Sequence, residues 1–332
     1  MAIPLRVTKA DVERAMERIA QHIRRTPTLA VKLLECRQLE CRQPTDSRSV
    51  LDPNSVILKL EYLQYSGSFK GRGAFHNLLT QEIPEAREIP EVGVVAASGG
   101  NHGAAVAFVA QQLGVPAHIF VPEVSAIAKR ERIEQFGAKL KISGQRYADS
   151  LAAATAFALE TGALTVHAYD TPETLAGAGT VALEIVQQHP DIDTVLVAVG
   201  GGGLLGGMSA YLGDDVKIVA VETQGTAALY NALQAGHPVD VETDGIATDS
   251  LGAKRIGDLC FPLLQQFVDK SLLVSDDEVR QAQKLLWQNF RIVSEPGGAV
   301  AFAAISSGRY RPLQDEKVAI VLCGANTDVV VL

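Results

Sequence analysis

Four consecutive glycines, Gly200 to Gly203, stand in the segment VAVGGGGLLGG, between an apolar run and the start of a helical pattern. Such a run weakens any strand or helix that contains it, so it belongs at a turn where something comes close to the backbone. Its N–H groups can curl inward, and the following helix N-terminus adds partial positive charge, which together make a cradle for an anion, most often phosphate. Within the run Gly201, Gly203 and Gly206 satisfy GxGxxG, and Glu222 ends the next apolar run about twenty residues on, as a dinucleotide fingerprint requires. A nicotinamide-dependent dehydrogenase is therefore one reading of this segment, and a glycine run serving only close helix packing is another. No GxxxxGK followed by Ser or Thr occurs, which excludes a nucleoside-triphosphate P-loop.

Strand, short glycine or polar turn, helix is the grammar of open α/β proteins, and it recurs along the chain. VILKLEYLQ (56–64) reads as a strand, with SGSFKGRG opening a helix at AFHNLL; VGVVAASGGNHG precedes AAVAFVAQQLG; AHIFVPE precedes KRERIEQFG; AKLKIS precedes an Ala-rich helix reaching Gly162. A second series starts at LTVHAY (164–169) and runs through TLAGAGTVALEIVQQ, TVLVAVG, LLGGMSAYLG and KIVAVE. After a less regular region (223–271), Ser275 and Glu278 make a capping box ahead of a helix, followed by the helix GGAVAFAAISSG and the strand KVAIVLCGAN. Before all of this, Val12, Met16, Ile19 and Ile23 give a helical apolar stripe ending near Arg25, and 35–54 reads as a polar loop. Two open α/β units place a ligand in the crevice at the carboxyl ends of their strands.

Composition agrees with that class. The 332 residues suffice for one large or two modest domains, and 47% hydrophobic residues with 29 glycines and only 5% aromatics fit a layered α/β enzyme better than a β-sandwich. A net charge of −8 with scattered Lys and Arg offers no basic stripe, so nucleic acid is not an expected partner. The longest apolar run is broken by glycines, and the N-terminus carries acidic residues rather than an apolar signal core, so neither a membrane span nor a secretory leader is expected. Cys36, Cys41, Cys260 and Cys323 form no CxxC pair and no zinc spacing, which suggests reduced thiols and a cytoplasmic setting. The chain ends soon after VAIVLCGANTDVVVL, so no separate C-terminal regulatory domain is expected.

Three further segments carry chemistry. In Ser66-Gly67-Ser68-Phe69-Lys70-Gly71-Arg72-Gly73 a lysine stands beside an aromatic residue at a strand-to-helix turn; it is either an ordinary solvated lysine or one desolvated for nucleophilic or Schiff-base work. In Ala97-Ser98-Gly99-Gly100-Asn101-His102-Gly103 the helix start, the Ser98 hydroxyl and the Asn101 amide suit a carboxylate, although Ser98 alone reads equally as an N-cap and His102 as a turn histidine. In Leu322-Cys323-Gly324-Ala325-Asn326 the cysteine, taken alone, is inert packing. A phosphate cradle, a lysine, a ring-sized approach and a carboxylate site together describe pyridoxal phosphate and an amino-acid substrate.

With these residues the sequence resembles the fold-type II pyridoxal-phosphate enzymes, in particular the threonine/serine dehydratase and serine racemase group. SGSFKGRGA, SGGNHG, GGGGL and CGAN stand in the family's order, and the resemblance runs from Thr26 to Asn326. It implies a tryptophan-synthase-β-like fold: two open three-layer α/β/α domains with the cofactor between them, a large cofactor-binding domain from 1–92 and 169–332 and a small substrate-binding domain from 93–168. It implies that Lys70 forms the Schiff base, that Phe69 packs by the ring, and that Gly200, Gly201, Gly202, Gly203 and Leu204 hold the phosphate. Asn101 would bond the 3′ oxygen, Ser98, Gly99, Gly100, Asn101 and His102 would bind the substrate carboxylate, and Cys323 would stand near the pyridine nitrogen. A thiol there cannot keep that nitrogen protonated, which favours prompt β-elimination.

The implied activity is dehydration of L-threonine or L-serine to a 2-oxo acid and ammonia, with 3-hydroxyaspartate or phenylserine dehydration and serine racemisation as alternatives within the family. Gly99 stands where racemases of this group carry a serine acting on the opposite face of Cα, so little racemisation is expected. Glu222 matches one carboxylate of the family's divalent-cation site, but Ala228 replaces the second, so no metal is expected. Glu295 matches a family glutamate near the cofactor face. Similar enzymes are usually dimers or tetramers, so a homo-oligomer is expected.

Overall fold

The structure is a computed structural model that describes residues 7–36, 55–81, 89–125 and 127–327. The chain order is α1 (Lys9–Ile19), β1 (Thr28–Lys32), β2 (Ser55–Lys59), α2 (Lys70–Gln81), β3 (Val94–Ala97), α3 (Asn101–Leu113), β4 (Ala117–Val121), α4 (Ile127–Gln135), β5 (Lys139–Ile142), α5 (Tyr147–Thr161) and β6 (Leu164–Thr165). It continues with α6 (Pro172–Gln188), β7 (Thr194–Ala198), α7 (Gly203–Leu212), β8 (Lys217–Thr223), α8 (Ala228–Ala235), α9 (Thr248–Leu251), α10 (Phe261–Phe267), β9 (Val268–Val274), α11 (Asp276–Phe290), α12 (Pro296–Ser306) and β10 (Val318–Val321).

These strands form two sheets. The larger has six strands in the order β1-β2-β10-β7-β8-β9, parallel throughout except for β1, which pairs antiparallel with β2 at one edge. The smaller has four parallel strands in the order β5-β4-β3-β6. Strands β3, β4, β7 and β10 are buried at every position, as parallel strands covered by helices on both faces must be. Helix α12 lies across β7 to β10 with α11 behind it, while α1, α2, α6 and α7 pack as a second group. Three hydrophobic clusters follow the two sheets: one gathers the large sheet with α6, α7 and α12, a second α3, β3 and β4 with α2 and Ile19 of α1, and a third sets Val95, Ala97 and Phe120 of the smaller sheet against α5.

Several sequence readings shift. The first helix closes at Ile19 rather than near Arg25, although Ile23 is still buried against the core. VILKLEYLQ contributes a strand only to Lys59 before a 3-10 turn at Glu61–Leu63. LTVHAY, read as the head of the second series, supplies only the two-residue β6, and it pairs with β3 in the smaller sheet. The irregular 223–271 region contains α8, α9, α10 and most of β9. The Ser275–Glu278 capping box is present, with each side chain accepting from the other's backbone N–H. Of the 35–54 stretch, the residues from 37 to 54, Cys41 among them, lie outside the described residues. Among the described residues no helix is long and apolar enough to cross a membrane.

Candidate active site

Because β2, β10 and β7 are neighbours in one sheet and run the same way, the turns that leave their carboxyl ends lie side by side. SGSFK follows β2, CGAN follows β10 and the glycine run follows β7. The first two are sewn together by their backbones: Ser68 bridges to Gly324, Phe69 N–H donates to Cys323 O (3.1 Å), and Ala325 N–H donates to Gly67 O (3.1 Å). SGGNHG comes from the other sheet, off β3, and reaches across through Asn101. The Asn101 Nδ2 donates to Glu295 Oε1 (2.5 Å), and its Oδ1 accepts from Asn326 Nδ2 (2.7 Å), which also donates to Ser66 O (2.9 Å). Between these segments a cavity is lined by Phe69, Lys70, Asn101, the Gly200 to Leu205 backbone, Glu295 and Cys323.

Lys70 opens α2, and its Nζ, 5.1 Å from the centre of the Phe69 ring, donates to Ala168 O at 2.7 Å. Burial lowers its pKa to about 8 against a small opposing effect of Cys323, so the neutral, nucleophilic amine is accessible near neutral pH. Burial in turn pushes the Cys323 thiol up to about 12, so it stands in the cavity uncharged, donating weakly to Gly297 O.

The glycine run forms the opposite wall. Gly202, at φ +92°, is the N-cap of α7, a backbone conformation that favours glycine. Among the described residues none of the N–H groups from Gly200 to Leu204 has an intramolecular acceptor, while Gly201 O is occupied by Gly257 N–H and Cys260 Sγ. Open donors at a helix N-terminus are the requirement for an anionic group such as phosphate. A Cβ added at Gly201 or Gly203 would come within 2.6 Å of Tyr169, which covers the run.

Around SGGNHG the Ser98 hydroxyl accepts from Gly100 N–H (3.2 Å), and Gly100 is the N-cap of α3. The His102 ring turns away from the cavity: its Nε2 bonds Val166 O (2.9 Å), and burial, with Lys70 and His167 nearby, lowers its pKa to about 3. What His102 presents toward the helix start is its backbone N–H, not its ring. Gly99 faces the loop after β4; a Cβ there would fall on the Ser125 hydroxyl.

Glu222 overturns the nicotinamide reading. It is fully buried, and its two oxygens accept from Leu229 N–H and Tyr230 N–H (both 2.7 Å), capping α8. Burial raises its pKa to about 8 against those bonds, and it is not among the residues that line the cavity, so it is not placed to meet a ribose there. Both of its oxygens are turned to the start of α8, and Ala228, at the first position of that helix, has no side-chain oxygen to add. Among the described residues no group of three or more His, Cys, Asp or Glu could hold a metal ion.

Beneath α2 lies a buried four-charge cluster. Arg72 donates to both oxygens of Glu61 and both of Glu184 (2.8–2.9 Å), and Lys59 donates to Glu184 Oε2 (2.6 Å) and Thr26 O (2.8 Å); all four side chains are at most 2% exposed. It ties the first turn of α2, two residues after Lys70, to β2 and α6. Sequence reading missed this cluster because its members lie up to 125 residues apart. It also missed Tyr169, Ser250 and Leu251 as cavity residues, since the first ends a failed strand and the others lie in the irregular region.

The chain matches the pyridoxal-phosphate dependent enzyme family over residues 19–324. It belongs to that family. The residues present fit the cofactor: a desolvated lysine, a row of open backbone donors and an uncharged thiol share one cavity. The L-threonine ammonia-lyase of Thermotoga maritima is 36% identical over 277 residues, 82% of this chain and 68% of that protein. The biosynthetic L-threonine dehydratase of Salmonella typhimurium is 35% identical, covering 90% of this chain, which spans only 58% of that protein. The catabolic L-threonine dehydratase of Staphylococcus aureus is 33% identical over 97% of this chain and 90% of its own length. Among solved structures, maize serine racemase superposes with a TM-score of 0.86 (29% identity; 97% of this chain, 94% of that one), and the threonine deaminase of T.th. with 0.83 (31%; 97% and 99%). These likenesses establish the fold-type II architecture expected from the motifs.

Proposed function

We propose that this pyridoxal-phosphate dependent lyase is an L-threonine/L-serine dehydratase, converting a β-hydroxy amino acid to a 2-oxo acid and ammonia. The observation that carries the reading is the Lys70 amine, biased toward its neutral form, in one cavity with the open donors of the glycine run. When bound, pyridoxal phosphate supplies a carbonyl for the substrate amine and a π-system that delocalises the electron pair left at Cα. The N–H groups of Gly200 to Leu204 hold its phosphate, Phe69 packs by its ring, Asn101 bonds its 3′ oxygen, and the uncharged Cys323 thiol stands near the ring nitrogen. Lys70 anchors the cofactor and, once displaced by the substrate amine, takes the Cα proton on Nζ. Ser98 and the N–H groups of Gly99 to His102 at the start of α3 hold the substrate carboxylate.

The substrate-binding unit is 93–168, and the cofactor unit is 1–92 with 169–332. Among the residues that line the cavity Lys70, which the cofactor takes, is the one cation, so none is left for a second substrate carboxylate; this and the names of the relatives favour threonine and serine over 3-hydroxyaspartate. The enzyme works as a cytoplasmic homo-oligomer, a dimer or tetramer, which sedimentation would establish. The test is oxo-acid formation from L-threonine, L-serine, 3-hydroxyaspartate and phenylserine, together with borohydride reduction and peptide mapping. Threonine or serine should lead, and the reduced cofactor should be found on Lys70. A cofactor mass on another lysine, or no oxo acid from any of the four, would reject the reading.

A further inference from the structure

Glu295 is 2% exposed, yet only half of its carboxyl group is engaged. Oε1 accepts from Asn101, whereas Oε2, equally shut off from solvent, has no hydrogen-bond partner among the described residues. Leaving a buried acceptor unmatched is costly, and such an atom on a cavity wall points to a group that the cavity receives. The position is built rather than incidental: Glu295 N–H donates to Gly324 O, a Cβ on Gly324 would fall on Glu295 Oε1, and Glu295 is the N-cap of α12. The bond to Glu295 also settles which way the Asn101 amide faces. Its oxygen is taken by Asn326 and one N–H by Glu295, so a single N–H remains.

We infer that Glu295 is a positioning residue, which sets the Asn101 amide so that its remaining N–H meets the cofactor's ring oxygen, and which presents Oε2 to the same occupant. The inference rests on the pyridoxal-phosphate reading of the cavity. The charged and titratable groups facing Glu295 are Lys70 from α2, Cys323 after β10 and Lys129 from α4, and Lys129 is ion-paired with Asp249. Burial raises the Glu295 pKa, opposed by Lys129 and the Asn101 bond, and the nearest thiol is itself neutral. Burial thus biases Glu295 toward its protonated form, in which Oε2 is a donor rather than a second negative charge beside a phosphorylated ligand.

Glu295→Gln keeps the shape, an acceptor for Asn101 and an N–H in place of O–H; Glu295→Ala removes all three. With the full-length protein stripped of cofactor and titrated with pyridoxal phosphate, the Gln variant should bind within about threefold of the parent. The Ala variant should bind roughly tenfold or more weakly, the cost of freeing the amide and losing a buried partner. The cofactor-free parent should also lose thermal stability relative to the Gln variant as pH rises above the ordinary carboxyl range, because the folded state resists ionising Glu295. Equal weakening in Gln and Ala variants, or parallel stability curves for parent and Gln, would overturn the inference. Capture of the cofactor on Lys70 in the parent, measured alongside, separates these outcomes from a failure of the cofactor reading: without it, the inference falls with that reading.

Discussion

Replacing Glu184 with Gln tests the buried charge cluster under α2. Glu184 accepts from Arg72 Nη1 and Nη2 (2.9 Å each), from Lys59 Nζ (2.6 Å) and from Thr26 N–H (3.3 Å). With Lys59 and Arg72 against Glu61 and Glu184, the cluster is formally neutral and sealed from water. An amide at 184 leaves two cations facing one carboxylate, and an unmatched buried charge costs about 3–5 kcal/mol. Lys59→Met alone leaves the opposite excess. Combined, the two substitutions restore neutrality through the Arg72–Glu61 pair, so the double variant should lie about 1–3 kcal/mol above the sum of the singles. The assay is equilibrium urea unfolding followed by circular dichroism, at saturating cofactor so that binding adds equally to every variant. Burial alone raises the Glu184 pKa, but Arg72 and Lys59 lower it further, to a net value below the ordinary 4.5. Its contribution is therefore present above pH 4.5 and is lost as pH falls through the folded value, a loss the Gln variant should not show. A penalty for Glu184→Gln under about 1 kcal/mol, or additivity of the two changes within about 0.5 kcal/mol, would refute the argument.

Lys70→Met in the cofactor-free protein should raise the melting midpoint by on the order of a few degrees below pH 8, since the parent there keeps a proton on a buried amine. The gain should fade as pH rises toward 10.5, and pH-resolved scanning calorimetry checks it. Glu222→Ala should cost about 2 kcal/mol by stranding the N–H groups at the start of α8, while chelators and added Mg²⁺ should leave the parent's melting curve unmoved. Gly99→Ser places a side chain on the Ser125 hydroxyl, so it should lower dehydration at least about tenfold. Adding Ser125→Gly should recover the space and bring measurable inversion at the substrate Cα, which the appearance of D-serine from L-serine would report.

The elements read correctly from sequence are those whose local pattern and tertiary setting agree. Helix α5 stops at Gly162 in the left-handed conformation, and α11 starts on its capping box, because such signals act within a few residues. LTVHAY and 223–271 were misread because their order comes from packing. The two residues of β6 are held by β3, and α8 begins where Glu222, six residues earlier in the chain, supplies acceptors for its N–H groups.

By itself the sequence determined the chemistry available at four turns: glycines where a backbone must lie open, a lysine at a helix start, and small polar groups for a carboxylate. Those choices are local and leave marks at fixed spacing. Only the tertiary structure decided which groups act together and in which protonation state. The sheet order put β10 between β2 and β7, which joined SGSFK, CGAN and the glycine run into one wall. Burial then lowered Lys70, raised Cys323 and Glu295, turned His102 into the interior and spent Glu222 on a helix cap. Desolvation is a property of everything that surrounds a side chain, and most of what surrounds these is distant in the chain.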